Sequence, residues 1–289
     1  MMIIDGKTRL CGLLGDPVEH TLSPLIHNTI SEKLGINEVY VPFHVKGDDL
    51  KDAVLGAYAL NILGLNATVP HKSAVIPFLK DMDSLAEKIG AVNTLVRTEG
   101  GYKGYNTDML GLYRSMTREG FLIEGEEVIL LGAGGAARAV AFLCADKGAK
   151  KVYLLNRSYE KAETLAKEVN ASVGKDLIIP MAIAEYDRIP ERKMLAIQST
   201  SVGLHPNVDE VVIEDAEFYK RIHTAYDLIY RPEETKFMRL VKQAGGRTQN
   251  GLGMLLYQGI IAYELWNDVQ VPDELADEIF ERMKEQVRV

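Results

Sequence analysis

The stretch "EVILLGAGGAARAV" (residues 127–140) predicts how the second half of the chain folds. An apolar run leads into Gly132, Gly134 and Ala137, which have the G-x-G-x-x-A spacing, and an alanine-rich helical stretch follows. This order is typical of a dinucleotide-binding βαβ unit, in which two glycines permit the turn and the approach of the pyrophosphate, and a small third residue lets the helix pack. We therefore predict a Rossmann-type domain with the pyrophosphate at the amino end of this helix. The loop residues predicted to bind it are Gly132, Ala133, Gly134, Gly135 and Ala136.

The end of the next strand, "LLNRSYEK" (residues 154–161), indicates which dinucleotide binds. Where an NAD enzyme usually carries an acid for the ribose 2′-hydroxyl, this chain has Asn156, followed by Arg157. Arg157 can stack on adenine and pair with a 2′-phosphate through two hydrogen bonds, Ser158 can donate its hydroxyl, and Lys161 adds a positive charge one helical turn later. The pattern favours NADP, with NAD as the alternative.

The first hundred residues alternate strand-like and helix-like stretches. Strands are predicted over residues 9–15, 39–45 and 62–69, and helices over residues 23–35 and 48–60. Ser23 is expected to cap the first helix, Pro24 to occupy its first position and Gly35 to end it. Repeated β-α-β order predicts a mostly parallel sheet covered by helices, and hence an α/β fold.

A predicted hairpin closes this first region. Residues 91–108 contain two short alternating runs on either side of Gly100 and Gly101, which can adopt the positive φ of a tight turn. The βαβ pattern then restarts, so we place the domain boundary near residue 109. The last forty residues are helical by periodicity and charge placement.

Composition excludes several classes of function. The chain has 289 residues, 47% hydrophobic and 26% charged, and a net charge of −8, which argues against a nucleic-acid partner. The sequence has no apolar run long enough to span a membrane and no signal-peptide order at its start, so a cytoplasmic protein without a membrane partner is expected. Cys11 and Cys144 cannot form a disulfide framework, and no histidines have metal-ligand spacing, so no metal is expected.

Six motifs in order identify a family resemblance. They are "EHTLSPLIHN" (19–28), "GLNATVPHK" (64–72), "GAVNTLVRTEGGYKGYNTD" (90–108), "STSVGLHP" (199–206), "DLIYRPEETKF" (227–237) and "NGLGMLLYQG" (250–259). Together with the glycine loop they resemble the shikimate dehydrogenase family. The members reduce 3-dehydroshikimate with NADPH on the route to chorismate and the aromatic amino acids, and some branches act on quinate.

The resemblance implies that Lys72 is the catalytic lysine and that Asp108 is its carboxylate partner. The chemistry requires such a pair, because hydride transfer to a ketone builds negative charge on oxygen, and a cation that can supply a proton stabilises that charge. A nearby carboxylate orients the ammonium group.

The resemblance also implies a set of substrate ligands. Thr21 and Ser23 would hold the substrate carboxylate, with Thr21 departing from the family's Ser-x-Ser pattern by one methyl group. Tyr230 would add a carboxylate contact, and Gly251 would contact the cofactor. The residues expected to bind the ring hydroxyls are Asn66, Thr68, Asn93 and Gln258.

The position of Gln258 predicts a discontinuous substrate domain, because this residue follows the nucleotide domain. We therefore expect residues 1–108 to form the substrate-binding and catalytic domain, residues 109–250 the NADP-binding domain, and residues 251–289 helices that pack back on the first domain.

Two alternatives remain open at this stage. The first is a quinate/shikimate dehydrogenase using NAD or NADP, which Thr21 supports. The second is a non-catalytic sensor of shikimate-pathway metabolites, which would be expected to lack Lys72 or Asp108 or to carry an added basic segment. The chain could act as a monomer or a homodimer.

Overall fold

The computed structural model describes residues 4–287, which form two compact units. Unit 1 contains residues 4–111 and 255–287, and unit 2 contains residues 112–254. Each unit is built on one six-stranded sheet with helices between the strands, which confirms the predicted α/β class.

Unit 1 is built on a mixed sheet. Its elements are β1 (Arg9–Gly15), α1 (Ser23–Leu34), β2 (Glu38–His44), α2 (Leu50–Ala59), β3 (Gly64–Ala67), α3 (His71–Ala74), β4 (Asp81–Met82), α4 (Ser84–Ile89), β5 (Thr94–Thr98), β6 (Gly101–Tyr105) and the start of α5 (Thr107–Arg118). The strand order is β2-β1-β3-β5-β6-β4. β1 is parallel to β2 and β3, and β4 is parallel to β6, whereas β5 is antiparallel to both neighbours. The antiparallel pairs arise because the predicted hairpin inserts into the sheet.

The start of α1 differs from the prediction. Leu22 occupies the cap position and Ser23 is the first helical residue, so the prediction that Ser23 caps the helix is wrong. Thr21 Oγ1 accepts a hydrogen bond from the Ser23 N–H at 3.2 Å and satisfies that donor instead. The helix ends at Gly35, whose φ of 67° is left-handed, as expected for a glycine stop.

Unit 2 is built on a fully parallel sheet. Its elements are the end of α5, β7 (Glu127–Leu131), α6 (Gly135–Asp146), β8 (Lys151–Asn156), α7 (Tyr159–Val173), β9 (Ile178–Ala182), β10 (Met194–Gln198), α8 (Ala216–Tyr219), β11 (Ile222–Asp227), α9 (Lys236–Gln243), β12 (Arg247–Gln249) and the start of α10 (Leu252–Asn267), which α11 (Asp273–Val287) follows. The strand order β12-β11-β10-β7-β8-β9 is the doubly wound order. The order reverses between β7 and β10, and ligands of such sheets bind beside the carboxyl ends of the strands at this point.

The helix α10 is anchored to the sheet of unit 1 by Trp266. The indole Nε1 donates to the Leu95 carbonyl at 3.0 Å, and a Cβ at Gly64 would lie 2.1 Å from the same nitrogen. Gly64 is therefore required for close packing of the tryptophan on β3. The short strands β4 and β12 are absent from the prediction because two or three residues cannot show an apolar alternation. Across residues 4–287, no helix has both the length and the apolar character needed to cross a bilayer.

Candidate active site

Lys72 and Asp108 lie in contact in unit 1. Lys72 is in α3, directly after β3, and Asp108 is in the first turn of α5. Lys72 Nζ donates to Asp108 Oδ2 at 2.7 Å, and the two side chains are 35% and 17% exposed, respectively. The ammonium group carries three donors, so this contact leaves two of them for another ligand. The arrangement provides a cation and proton donor that a carboxylate holds in place.

The backbone around Lys72 is fixed on two sides. The Lys72 carbonyl accepts a hydrogen bond from the Val92 N–H at 2.7 Å, which ties α3 to the segment before β5. The ring of the fully buried His71 contacts the Val45 carbonyl through Nε2 at 2.7 Å. His71 therefore holds the loop that presents the lysine.

Asn93 connects the start of α5, next to Asp108, to α10. Its Oδ1 accepts from the Thr107 N–H at 2.7 Å, and its Nδ2 donates to Thr107 Oγ1 at 3.0 Å. The same Nδ2 reaches Gln258 Oε1 at 3.4 Å. Asn93 is 2% exposed and Gln258 is 8% exposed. This pairing fixes the first residue of α5, and with it the starting point of Asp108.

Thr107 belongs to the candidate site, although the sequence motifs did not point to it. It is fully buried, and its hydroxyl also lies 2.9 Å from Thr94 Oγ1. The available sequence signal was its position directly before Asp108 in "GYNTD", where a hydroxyl can satisfy the polar start of a helix.

The Asn66 side chain forms most of its hydrogen bonds within the protein. Its Nδ2 donates to the Asn93 carbonyl at 3.1 Å and to Thr94 Oγ1 at 3.0 Å, while its Oδ1 accepts from Tyr40 Oη at 2.8 Å. Both amide hydrogens are thus used internally, and the side chain is 5% exposed. A ligand could reach only the remaining lone pair of Oδ1. Asn66 supports Asn93, and its contact with a substrate stays a prediction.

Tyr40 links the first motif (residues 19–28) to the hydrogen-bonded group of polar side chains formed by Asn66, Asn93, Thr94 and Thr107. Burial raises the pKa of its phenol well above the usual value, and a hydrogen bond with the Ser23 side chain partly opposes the rise. The ring stacks on His27 with centroids 4.1 Å apart. Burial lowers the pKa of His27 to about 3, so this imidazole is neutral at physiological pH. Tyr40 therefore joins Ser23 to Asn66 through one fixed hydroxyl.

The remaining predicted hydroxyls of unit 1 differ in how far the protein itself uses them. Thr21 Oγ1 lies 3.1 Å from Ser23 Oγ, and Ser23 is 7% exposed. For Thr68, no hydrogen bond of the side chain is found within residues 4–287. The Thr68 hydroxyl is therefore available to a polar ligand.

In unit 2 the glycine loop has the geometry that a pyrophosphate requires. Gly132 has φ of 107°, and a Cβ there would lie 2.9 Å from Thr200 Cγ2, so a side chain is excluded. At Gly134 and Gly135, in contrast, no atom lies within 4 Å of a built Cβ. This open space at the amino end of α6 would accommodate phosphate oxygens against backbone N–H groups. Ala136 is exposed beside them.

The turn after β8 carries the predicted 2′-phosphate residues. Asn156 Nδ2 donates to the Ser158 carbonyl at 2.9 Å and shapes the turn. Arg157 and Lys161 are exposed, and neither has an ion-pair partner in the described part of the chain. Arg157 lines a cavity of about 500 Å³ beside Gly132, and Lys161 lines a second one of about 470 Å³ beside the glycine loop. Two unpaired cations at this turn fit a 2′-phosphate.

Glu160 is a negative charge in the same turn. Its Oε2 accepts the Ser158 hydroxyl at 2.8 Å. Hydrogen bonds from its own backbone N–H and from Ser158 lower the pKa of this carboxyl below its usual value, so it is ionised at neutral pH. A 2′-phosphate would compete with Glu160 for the Ser158 hydroxyl, a competition that the sequence motif alone does not predict.

Tyr230 and Gly251 belong to unit 2, and a backbone hydrogen bond joins the two segments that contain them. Gly251 N–H donates to the Ile229 carbonyl at 3.1 Å, and a Cβ at Gly251 would lie 2.1 Å from the Leu228 oxygen. Tyr230 is half-buried, and burial raises the pKa of its phenol. Glycine is thus required at position 251 for backbone packing.

Metal ligands do not cluster in the described residues. No group of three or more His, Cys, Asp or Glu side chains there could hold a metal ion. Cys11 and Cys144 are buried free thiols, and burial raises the pKa of both.

Three family models match successive parts of the chain. The model described as shikimate dehydrogenase substrate binding domain matches residues 13–95, and the one described as shikimate / quinate 5-dehydrogenase matches residues 116–201. The model described as shikimate 5′-dehydrogenase C-terminal domain matches residues 251–288.

Individual proteins resemble the chain over nearly its full length. The shikimate dehydrogenase (NADP(+)) of Desulforamulus reducens is 45% identical over 271 residues, which cover 93% of each chain. A crystal structure of shikimate dehydrogenase in complex with NADP+ has a TM-score of 0.87, 37% identity and 97% coverage of both chains. The shikimate 5-dehydrogenase of Listeria monocytogenes, in complex with shikimate and NAD, has a TM-score of 0.89 at 32% identity, with 97% of this chain and 98% of that chain covered.

Proposed function

The chain belongs to the shikimate dehydrogenase family, and on that premise we propose that it is an NADP-dependent shikimate dehydrogenase. The reaction is the reversible reduction of 3-dehydroshikimate to shikimate, on the route to chorismate and the aromatic amino acids. The observation that carries this proposal is the 2.7 Å contact between Lys72 Nζ and Asp108 Oδ2. A non-catalytic sensor would have no need of this pair.

In the proposed mechanism, Lys72 acts on the carbonyl oxygen of the substrate. NADPH, held by the glycine loop and Arg157, would supply a hydride to the carbonyl carbon, so that negative charge develops on the oxygen. Lys72 Nζ stabilises that charge and donates a proton to it, which gives the hydroxyl of shikimate. Asp108 accepts another N–H of the ammonium group and keeps its donors aimed at the substrate. In the reverse direction Lys72 takes up the hydroxyl proton.

The other predicted residues bind and orient the substrate in this proposal. Thr21 and Ser23 would hold the carboxylate through their hydroxyls, and Tyr230 would add a donor. Ring hydroxyls would be bound by Asn66, Thr68, Asn93 and Gln258. Several fixed polar partners reject an analogue that lacks a hydroxyl, because the partners are then left buried and unpaired.

The two units divide the ligands between them in this proposal. Residues 1–108 and 251–289 would bind substrate and supply catalysis, and residues 109–250 would bind NADP. Support for the second assignment comes from the open glycine loop and the unpaired Arg157 and Lys161. We also propose a cytoplasmic enzyme that acts on small molecules as a monomer or homodimer without membrane or nucleic-acid partners, and light scattering would measure its assembly.

A steady-state assay tests the function directly. Initial rates with shikimate or quinate, each with NADP or NAD, should give the highest kcat/KM for shikimate with NADP. Absence of NADP reduction by shikimate, with binding of both ligands intact, would instead support the sensor.

Arg157 is expected to determine the preference for NADP. Arg157→Ala should lower kcat/KM for NADP by about 10- to 100-fold, because a charge-assisted contact with the 2′-phosphate is lost, and should change the value for NAD little. Glu160→Gln removes the competing charge and should change the NADP-to-NAD ratio in the opposite direction. Equal effects of Arg157→Ala on both cofactors would contradict this assignment.

Quinate as the main substrate is a second candidate, because the methyl group of Thr21 changes the shape of the proposed carboxylate site. Thr21→Ser enlarges the proposed carboxylate site and should raise kcat/KM for the bulkier quinate several-fold relative to shikimate, within the roughly 10- to 200-fold that one methylene can contribute. Comparison of the two substrates at saturating NADP measures the effect. A decrease for quinate would show that the methyl group favours that substrate.

A further inference from the structure

Asp227 is a buried carboxylate that the proposed mechanism does not use. It is the last residue of β11 and is fully buried. Its Oδ1 accepts from the Ile229 N–H at 3.0 Å and from Gln198 Nε2 at 3.3 Å, and its Oδ2 accepts from Thr235 Oγ1 at 2.7 Å. All three donors are uncharged. A buried charge without a counter-ion is costly, so these hydrogen bonds are the compensation.

On one side, Asp227 is connected to the turn after β10 through Gln198. The two residues are opposite each other in the parallel register. Gln198 accepts from the Thr200 N–H at 2.5 Å, and its Nε2 lies 3.3 Å from the carbonyl oxygens of Thr200 and Val202. This turn lines the same cavity as Gly132. The glutamine therefore shapes one wall of the proposed cofactor site.

On the other side, Asp227 shapes the turn after β11. The Ile229 N–H donates to the carboxylate, and the Ile229 carbonyl accepts from Gly251. Tyr230 follows directly in this turn. Thr235, the third partner, also accepts from the Met238 N–H and so caps α9.

We propose that Asp227 is a positioning residue that holds the turns at residues 199–202 and 228–230 in the arrangement that cofactor binding requires. The inference rests on the proposed function of unit 2, because it assigns cofactor binding to these turns. One carboxylate accepts hydrogen bonds from the turn at 228–230, from the start of α9 and from Gln198, which itself holds the turn at 199–202. Loss of its charge would therefore loosen all three together.

The titration of Asp227 gives this role a signature in pH. Burial raises the pKa of Asp227 from 3.8 to about 6, against the hydrogen bonds of Thr235 and the Ile229 N–H. The groups that contact the carboxyl from β10, from the following turn and from α9 are all uncharged. Protonation places a hydrogen where donors already point, so acidification below about pH 6 should weaken cofactor binding.

Protonation of Asp227 should affect global stability in the opposite direction: acidification weakens cofactor binding but increases the contribution of Asp227 to the free energy of unfolding. Because the folded pKa is raised, the folded state binds more protons than the unfolded state between pH 3.8 and about 6. The contribution of Asp227 to stability therefore decreases as pH rises through this window and is constant above it. A role in positioning and a role in stability alone thus make different predictions on acidification.

The test uses Asp227→Asn in the full chain. At neutral pH, the Kd of NADP from a fluorescence titration and the KM for NADP should both rise about tenfold, while kcat at saturating NADP changes less. The variant should also lose the inflection near pH 6 in Kd. The 2′-phosphate titrates at about pH 6 itself. The titration of the 2′-phosphate affects the wild-type protein and the variant equally. The ratio of their Kd values therefore reports only the pH dependence that Asp227 contributes.

Two further variants control the experiment. Glu127→Gln neutralises a 9% exposed carboxylate at the opposite end of the same sheet, next to Arg192, and should lower thermal stability without changing the Kd of NADP. Thr235→Val keeps the charge and removes one donor, so it should raise Kd less and move the inflection to higher pH.

Unchanged Kd and an unchanged pH profile in Asp227→Asn would overturn the proposal, as would changes in Kd that follow stability in all three variants. Titration of NADP needs no turnover. A protein that binds NADP with the expected Asp227 dependence but does not oxidise shikimate would contradict the proposed function and leave the positioning role supported.

Discussion

Replacement of Lys72 by methionine should lower kcat about 10³-fold, because the variant can neither stabilise charge on the carbonyl oxygen nor transfer a proton to it. Methionine keeps most of the apolar stem of this 35% exposed side chain, so the loss of folding stability should be small. The measurement is kcat from initial rates of shikimate oxidation, combined with titration of NADP. The Kd of NADP should be nearly unchanged, because the predicted NADP ligands lie in unit 2.

Lys51→Met is the matched control for this experiment. Lys51 is an exposed lysine of α2 in the same unit, and its replacement removes the same charge from the net balance of the protein. The control should retain wild-type turnover. Turnover near the wild-type value in Lys72→Met would refute the catalytic assignment of this lysine.

The features that the sequence predicts well are those that short segments encode. The glycine loop is one example, because strand, turn and helix follow each other within residues 127–140 and the role of Gly132 depends on its own φ. The hairpin is another, because Gly100 and Gly101 supply its turn with φ values of 80° and 157°. The parallel sheet of unit 2 follows from the regular alternation of such segments.

The hydrogen-bonded group of Asn66, Asn93, Thr94 and Thr107 could not be predicted from the sequence in the same way. Its hydrogen bonds join residues that are distant in the chain, such as Tyr40 with Asn66 and Asn93 with Gln258, which are separated by 26 and 165 positions. Motifs identify a polar residue, but they cannot say whether its donors face a ligand or another side chain. Asn66 shows this difficulty, because both amide hydrogens are used inside the protein.

The burial of the Asp227 carboxylate could not be predicted from the motifs either. Asp227 lies inside a recognised motif, and only the structure reveals that it is fully buried and that Gln198 lies opposite it on the adjacent strand β10. A weak signal was present, because an acid that ends an apolar strand in a parallel sheet lies at the ligand-binding edge. The start of α1 was predicted one residue too late, with Ser23 instead of Leu22 at the cap, for a simpler reason: cap positions shift by one or two residues between assignments.

Replacement of Asp108 by asparagine should lower kcat/KM about 100-fold, which is less than the effect at Lys72. Asparagine preserves the shape of the 17% exposed side chain and can still accept from the lysine, but the charge that orients the ammonium group is lost. Asp83→Asn is a suitable control, because Asp83 is also an acid near a helix start in unit 1 and accepts from the Leu85 N–H. Its replacement should affect stability alone.

The double variant Lys72→Met/Asp108→Asn distinguishes two roles for the carboxylate. If Asp108 acts only by holding Lys72, its replacement should have little further effect once the lysine is absent, and the double variant should be about as active as Lys72→Met. If Asp108 contacts the substrate independently, the two losses should multiply. The 2.7 Å contact and the fixed start of α5 beside Thr107 favour the first outcome, because the structure aims the carboxylate at Nζ. Multiplicative losses would require a second acceptor role for Asp108, which its remaining carboxylate lone pairs could supply.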